Sequence, residues 1–434
     1  MKIVKMKSLK LETYIFVIFV LSIVISANAY FTWDAYGSSL LKYIIKCFRY
    51  FGLLVMTLYV ITYSNKKLGR VPEKEFILGV ILFLTLFEMN FLGASYQRFF
   101  NIVSLVAFVT FIICMSLNFA QRSRLYEIFM KVFALITLPS VIYFCVHHLL
   151  GINLPYSVLG TDHTGKAALG VYYELRPLGL IISSINYFAV PRLCGIFDEP
   201  GVIGTISAML VAVNICCHKF RNWTFLLVIE GIMSFSLAFF AMMIILASII
   251  AIQKSIIKFL VFLTFLVFFS GLFISVEFDN PNLKKIQNRI DFTSDILIKD
   301  NRTTDSFKRE FESFINRGGY SLFFGEGIGA YHANPNMTGS NSYKCLIYDY
   351  GIVGFILYMS FFILLYVLEY GINKLSFPFF VVFMASLYQR AYVLNSIFLF
   401  LYICSLACIA YSKNDMINLN KKSINGSGEK FACD

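Results

Sequence analysis

Long runs of apolar side chains, separated by short polar segments, dominate the pattern along this chain. Backbone N–H and C=O groups in hydrocarbon must pair within their own segment, so an apolar run of about 20 residues predicts a membrane-spanning helix. The pattern therefore predicts an all-α polytopic membrane protein. The runs lie near residues 14–31, 44–63, 76–93, 99–119, 127–150, 199–217, 223–252, 259–276, 343–369, 376–392 and 394–411.

Composition supports this class and excludes a soluble protein. Hydrophobic residues make up 58% of the 434 residues and charged residues only 14%, whereas soluble chains carry about 25% charged residues. The net charge of +12 does not indicate a nucleic-acid surface, because the lysines and arginines lie mostly in short segments between apolar runs. The ten cysteines form no C-x-x-C pair, so we expect neither a disulfide nor a metal site from them.

Lysines and arginines in the short segments predict the orientation, because these residues are enriched on the cytoplasmic side. They place both ends of run 223–252 in the cytoplasm, so this run is expected to enter and return. As one helix it would reach only about 45 Å, too short for two full crossings, which favours two short helices folded back near Phe235–Phe239. Glu230 is then expected at the cytoplasmic interface. The prediction is about twelve helical segments with both termini inside. The marking residues include Lys66, Lys67, Arg70, Lys74, Arg122, Arg124, Lys131, Lys219, Arg221, Lys254, Lys258 and Lys374.

The start of the chain allows two interpretations. Lys2, Lys5, Lys7 and Lys10 precede an apolar stretch, and Ala27-Asn28-Ala29 resembles the cleavage site of a signal peptide. An uncleaved first helix is favoured, because many apolar runs follow it. Either choice leaves the rest of the topology unchanged.

With this topology, two long polar segments lie together on the outer, periplasmic face and are the expected place of function. The predicted organisation is a sequence of six regions. These are N-terminal transmembrane helices in 1–150, a first periplasmic loop in 151–197, transmembrane helices with a re-entrant pair in 198–276, a second periplasmic loop with an amphipathic helix in 277–341, C-terminal transmembrane helices in 342–412 and a cytoplasmic tail in 413–434.

The first outer segment carries Arg176 and ends in Arg192, Asp198 and Glu199 just before Pro200. Proline suits the first turn of a helix, so one interpretation is that Asp198 caps this helix and that both acids favour its positive end. The other interpretation is functional. An arginine and two carboxylates at the mouth of a membrane helix can hold a phosphate and a sugar hydroxyl.

The second outer segment predicts an amphipathic helix, since Phe307, Phe311, Phe314 and Ile315 recur at helical spacing. It is expected to lie on the membrane or cover a cavity. Arg302 and Arg309 are seven residues apart and would share one helix face. They are either a solvated face or a pyrophosphate site, because guanidinium groups match phosphate oxygens and keep their charge.

Alternating glycines at 325, 327 and 329 follow this helix. No strand–turn–helix pattern surrounds them, which argues against a dinucleotide site. A tight loop that brings backbone N–H groups, such as that of Gly327, close to a ligand is the preferred interpretation. His332 follows and is either a solvated side chain or a general base that orients a hydroxyl.

Three stretches carry a resemblance to the Wzy-type O-antigen polymerases of the O-antigen ligase/polymerase superfamily. They are Arg192-Leu-Cys-Gly-Ile-Phe-Asp-Glu-Pro-Gly201, the run Ser234-Phe-Ser-Leu-Ala-Phe239, and Gly325-Glu-Gly-Ile-Gly329 followed by the stretch from Ser340 to Gly351. The order of these stretches carries more weight than any one of them. The chain departs from the related ligases in having Ser340 before Asn341, where they often have a histidine.

The resemblance implies a GT-C-like glycosyltransferase architecture in the bacterial inner membrane, with its active site facing the periplasm. Such an enzyme joins undecaprenyl-pyrophosphate-linked repeat units, as donor and acceptor, into O-polysaccharide within lipopolysaccharide biosynthesis. Membrane lipids and a chain-length regulator are the other expected partners. Nucleic acid is not expected as a partner, and no cofactor is expected, although a divalent metal stays open.

The residues expected to carry the chemistry are a catalytic set and a substrate-binding set. Arg192 is expected to hold the diphosphate, and Asp198, Glu199 or His332 to orient or accept the hydroxyl proton. The substrate-binding set is Arg176, Arg302, Arg309, Gly327 and Asn341.

Two alternatives remain at this point. A ligase of the same superfamily would move finished glycan onto a lipid core. A transporter or flippase of lipid-linked sugars would share the apolar composition, but such proteins tend to have related halves and short loops. No repeat relates residues 1–215 to 216–434, which favours the transferase.

Overall fold

The computed structural model describes residues 2–25, 29–30, 39–63, 73–94, 102–160, 171–176, 179–184, 191–276, 305–337, 342–389 and 395–426. The described part is predominantly helical. Its helices are α1 Lys2–Ile25, α2 Ser39–Tyr63, α3 Glu73–Phe91, α4 Ile102–Ser116, α5 Phe119–Phe144, α6 Pro200–Cys217, α7 Arg221–Met233, α8 Leu237–Lys254, α9 Ile256–Ser275, α10 Asp305–Arg317, α11 Gly319–Phe324, α12 Ala330–Ala333, α13 Tyr343–Leu365, α14 Phe377–Gln389 and α15 Ser396–Gly426.

Each apolar run of the sequence coincides with a helix, and run 223–252 coincides with two. Five helical stretches within the described residues are long and apolar enough to cross a membrane: Tyr43–Tyr63, Phe119–Leu149, Pro200–Cys217, Leu237–Lys254 and Tyr343–Tyr370. Many large apolar side chains on the outside of the bundle are exposed, for example on α9. An oily exterior of this kind suits lipid and not water, so the chain is a membrane protein.

Helix α6 is the centre of the bundle. Its sequence is apolar around the whole circumference and rich in Gly, Ala, Ser and Thr, so other helices can approach it closely from every side. Tyr126 of α5 donates to the side-chain oxygen of Asn214 at 2.7 Å, near the end of α6. Because Tyr126 lies early in α5 and Asn214 late in α6, the two helices are antiparallel.

The connection between α5 and α6 contains a four-stranded antiparallel sheet in the order β1-β2-β3-β4. The strands are β1 Ser157–Gly160, β2 Val171–Arg176, β3 Gly179–Ser184 and β4 Arg192–Gly195. The sequence analysis predicts no strands here, and the sheet is a departure from a wholly helical architecture. We call the end of the bundle that carries this sheet the sheet end.

Helices α7 and α8 are separated by a sharp break at Ser234–Ser236, where Phe235 has a φ of +43°. Gly204 of α6 lies against the break, since a Cβ atom there would be 2.5 Å from Cβ of Ser236. The break is therefore near the sheet end. Arg221, which begins α7, follows the far end of α6, and Gln253 at the end of α8 donates to the carbonyl of Lys374. The two helices run toward the sheet end and back.

Glu230 lies one turn before this break, and its carboxylate is fully buried. It accepts a hydrogen bond of 2.5 Å from the hydroxyl of Thr137, in the second half of α5. The side chain therefore lies inside the protein and not at an interface with water. The residue belongs to the half of the bundle that carries the sheet, because α7 enters from the opposite end.

Arg122, expected among the loop charges that face the cytoplasm, is buried in the first turn of α5 and only 1% exposed. Its guanidinium donates to the carbonyls of Met115 and Leu117 at 2.9 Å and to the carboxylate of Glu369 at 2.7 Å. This positive charge is neutralised inside the protein, because α4, α5 and the turn after α13 meet around it.

The second outer segment contains α10, and its apolar face packs on protein. Phe307 and Phe314 are buried in a small core with Met337, Cys345 and Tyr348. The ring centroids of Phe314 and Tyr348 are 5.0 Å apart. The amphipathic pattern thus attaches this segment to the start of α13.

Candidate functional site

Arg192, the first residue of β4, reaches the break between α7 and α8. Its Nε donates to the carbonyl of Ser234 at 3.2 Å, and its Nη2 donates to the carbonyl of Phe235 at 3.1 Å. The break leaves these carbonyls without helical partners, which explains why a guanidinium is placed there. Arg192 therefore holds the sheet and the helix break together.

Asp198 and Glu199 stand where the sheet leads into α6. Pro200 occupies the first turn, as its fixed φ favours, but the residue at the N-cap is Glu199, and its side chain makes no capping hydrogen bond. Asp198 does not occupy the cap position. Instead, its backbone carbonyl accepts a hydrogen bond of 2.6 Å from the hydroxyl of Tyr173 in β2. Both carboxylates are half-buried at the positive end of a central helix.

The glycine segment 325–329 is bound to the start of α13 through its backbone. The N–H groups of Glu326 and Gly327 donate to the carbonyls of Tyr348 and Asp349 at 2.9 Å. The Asp349 carboxylate accepts from the N–H groups of Gly329 at 3.2 Å and Tyr331 at 2.8 Å. The N–H of Gly327 is thus used inside the protein, and Asp349 holds the loop in place.

Tyr331, just after the glycine segment, is half-buried. Burial raises the pKa of this phenol, and the nearby Cys345, Asp349 and Glu199 raise it further. Glu199, at the N-terminus of α6, is therefore within electrostatic range of the Tyr331 hydroxyl. Acidic groups of the first outer segment and of α13 thus act on one tyrosine.

Arg176 lies on the opposite face of the sheet from Tyr173, because side chains alternate along a strand. Its guanidinium stacks 3.5 Å from the ring centre of Tyr143, bonds the Tyr143 hydroxyl and donates to the carbonyl of Leu154 at 2.9 Å. A cavity of about 230 Å³ opens beside it, lined by Pro139, Ser140, Tyr143, Arg176, Gly179 and Ile181.

Next to this cavity lies a group of three residues, His147, His148 and Glu174, in which only Glu174 is fully buried. Nε2 of His148 is 3.0 Å from a carboxylate oxygen of Glu174, and Ser183 donates to the other oxygen at 2.6 Å. Burial favours the neutral acid, but these two hydrogen bonds together with the electrostatic effect of His148 and His147 hold the pKa of Glu174 below its usual value. The carboxylate is therefore ionised at neutral pH.

Besides Asp349, two further buried carboxylates in helices were not predicted as site candidates from the sequence. One is Glu230, described above. The other is Glu88 of α3, whose oxygens have no hydrogen-bond partner within the described part of the chain. Glu88 lies against Gly354, where a Cβ atom would be 2.3 Å from its Oε2. Their position inside apolar runs was the available signal, since ionisable groups in a membrane are functional candidates by default.

The remaining predicted site residues are distributed as follows. Arg309 is exposed on α10 and does not reach the Arg192 region by any contact within the described residues. His332 belongs to α12, but its side chain lies outside what the structure describes. Arg302 and Asn341 also lie outside the described residues. Arg192 and Glu199 flank one short stretch of chain, whereas Arg176 belongs to the separate cavity.

The glycine segment packs against α13 with no room for a side chain at Gly325, which gives a first prediction. Gly325 has a φ of +78°, and a Cβ atom there would be 2.2 Å from the carbonyl oxygen of Asp349. Gly325→Ala should therefore displace the segment and lower both activity and the Tm in detergent. Gly329→Asn is the matched control, because Gly329 also has a positive φ but has open space at Cβ. Equal Tm values for the two variants would refute this close packing of Gly325 on Asp349.

Comparisons with known proteins do not extend these observations. The chain matches no protein-family model, no curated protein and no solved structure. The geometry of the site and the resemblance of its motifs are therefore the basis for a functional proposal.

Proposed function

We propose that this chain is an O-antigen polymerase of the Wzy type. It joins undecaprenyl-pyrophosphate-linked repeat units on the periplasmic face of the inner membrane. The observation that carries the proposal is the position of Arg192 and Glu199 at one end of an apolar bundle. Arg192 bonds the break between α7 and α8, and Glu199 is within electrostatic range of Tyr331 in the second outer segment. Arg192 lies on the same connection into α6, seven residues before Glu199 in the chain. All three motifs that resemble the superfamily take part in this arrangement.

The reaction requires the protein to supply mainly fixed charges and correct positioning of the two substrates. The bond between the anomeric carbon of the donor glycan and the pyrophosphate oxygen breaks, and the diphosphate leaves with the electron pair. The acceptor hydroxyl forms the new glycosidic bond and gives up its proton. Fixed cations that stabilise the departing charge, together with orientation of the hydroxyl, supply the acceleration.

Within the proposal, Arg192 binds the departing diphosphate, and Glu199 or Asp198 accepts the hydroxyl proton. Arg192 is held against the helix break, so its guanidinium is oriented before substrate arrives, which reduces the cost of binding. The donor bond supplies the energy, so the reaction requires neither a nucleotide sugar nor ATP. Arg309, exposed on α10, contributes to substrate approach and not to the bond-breaking step.

A deletion strain of the host bacterium tests the proposal against both alternatives. Loss of a polymerase should collapse the lipopolysaccharide ladder to core plus a single repeat. Loss of a ligase should instead leave long lipid-linked chains and unmodified core, and loss of a flippase should leave core without any repeat. Either of the last two patterns, restored to wild type by the plasmid-borne gene, would contradict the polymerase.

A further inference from the structure

The last turns of α5 set two adjacent histidines side by side. The helix ends in a wider π-helical turn over Cys145–Leu149, a feature that is rare and often found at functional sites. The ring centroids of His147 and His148 are 4.6 Å apart, and the rings are nearly perpendicular at 82°. The two imidazoles therefore lie next to each other without stacking, an arrangement that lets both present a nitrogen to one point.

Strand β2 supplies a third donor to the same place. Glu174 shares a strand face with Arg176 and is 2% exposed. The donor atoms of His147, His148 and Glu174 all lie within 4.8 Å of one another. Bonds of about 2.0–2.1 Å to a tetrahedral zinc ion place ligand atoms about 3.4 Å apart. The His148–Glu174 pair, at 3.0 Å, is already close to this spacing, and a donor nitrogen of His147 lies within 4.8 Å of both.

The surroundings of the three donors also match those of a metal site. Ser183 donates to the Glu174 oxygen that does not face His148. Nδ1 of His147 lies 3.1 Å from the carbonyl oxygen of Ile152 and 3.2 Å from the backbone N of Leu154, whose N–H can donate to it. A metal on Nε2 requires the proton on Nδ1, where it is donated to Ile152 in place of the Leu154 contact. Such outer contacts fix the tautomer and ring orientation of metal-binding histidines.

We propose that His147, His148 and Glu174 bind a divalent transition-metal ion of the zinc class. The ion fastens the end of α5 to β2 of the sheet. Three protein ligands leave a fourth position, and zinc beside Arg176 would carry net positive charge there. The fourth ligand is therefore water or an anionic oxygen, such as one of a phosphate.

The test uses the full chain purified in detergent, stripped with EDTA and desalted. Zinc or magnesium chloride is added, excess is removed, and bound metal is measured by mass spectrometry together with the Tm. We expect about one zinc ion per chain, a raised Tm with zinc and no change with magnesium. Wild-type protein that keeps no zinc and shows an unchanged Tm would overturn the site, leaving a hydrogen-bonded His148–Glu174 pair.

Variants locate the metal on these residues. The double variant His147→Ala, His148→Ala should retain less zinc than the wild-type protein, by a factor of about ten or more. His218→Asn is the matched control, because His218 is exposed at the far end of α6 with a φ of +53° that asparagine tolerates. Full zinc content in the double variant would refute the assignment of the metal to His147 and His148. Should that variant not fold, the zinc content and Tm of the wild-type protein test the site.

Discussion

Arg192→Ala is expected to abolish chain extension while leaving the amount of protein in the membrane unchanged. The guanidinium is proposed to stabilise the diphosphate as it gains charge, and removal of one such oriented donor typically slows a reaction by about 100-fold or more. Rates are measured with purified protein and lipid-linked repeat units, with the product resolved by length. Because Arg192 also bonds the carbonyls of Ser234 and Phe235, a lowered Tm is expected as well.

Two further variants separate the chemical role from the structural one. Arg192→Lys keeps the charge but loses the planar donor fork, so partial activity is expected. Arg221→Ala removes an exposed arginine at the start of α7, the end of that helix that lies away from the break. This variant should be as active as wild type. Product of normal length from Arg192→Ala would remove this residue from the active site.

Arg122→Met is expected to cause the largest loss of stability of any single change considered. Arg122 is 1% exposed and bonds two carbonyls and the carboxylate of Glu369. Removing one partner of a buried ion pair leaves the other charge buried without a counter-charge, which lowers the free energy of unfolding by about 3–5 kcal/mol. The measurement is the free energy of unfolding, or the Tm, in one detergent.

A double-mutant cycle with Glu369→Gln tests the cause. The double variant Arg122→Met, Glu369→Gln should be less destabilised than the sum of the single variants, because the Glu369 charge that would lose its partner is removed as well. Lys131→Met is the control, since Lys131 pairs with Glu127 on a partly exposed surface. Additive effects of Arg122 and Glu369 would show that their charges do not interact.

The helices were predictable because the hydrocarbon core leaves the backbone few choices. An apolar run such as 199–217 must satisfy its hydrogen bonds internally, and it forms α6 at Pro200–Cys217. The break in run 223–252 was predicted from another pattern, the basic residues at both of its ends. The structure places the break at Ser234–Ser236.

The sheet was not predictable from the same pattern. Its strands are four to six residues long, and their pairing joins segments whose side chains alternate only briefly, as in Val171–Arg176. Such short segments give weak periodicity, and tertiary packing against α5 decides their conformation. The His147–His148 pair was missed for a related reason, because its meaning depends on Glu174, which the fold brings near from another element.

Charged residues near helix ends were the least predictable. Lysine and arginine counts predict which side of the membrane a segment faces, but not whether a given side chain is solvated. Arg122 counted as one cytoplasmic charge among several, yet it is buried against Glu369, a residue far along the chain. Asp198 and Glu199 were found because of their position before Pro200, whereas the electrostatic effect of Glu199 on Tyr331 emerged only from the fold.

Chain extension by the isolated protein is the most direct test that one outer site carries out glycan transfer. Wild-type protein in detergent is incubated with lipid-linked repeat units extracted from the deletion strain, without nucleotide sugar or ATP. A ladder of longer lipid-linked glycans, with undecaprenyl pyrophosphate released in step with each new linkage, is the predicted result. Repeat units that stay unchanged in the presence of folded protein would contradict the account.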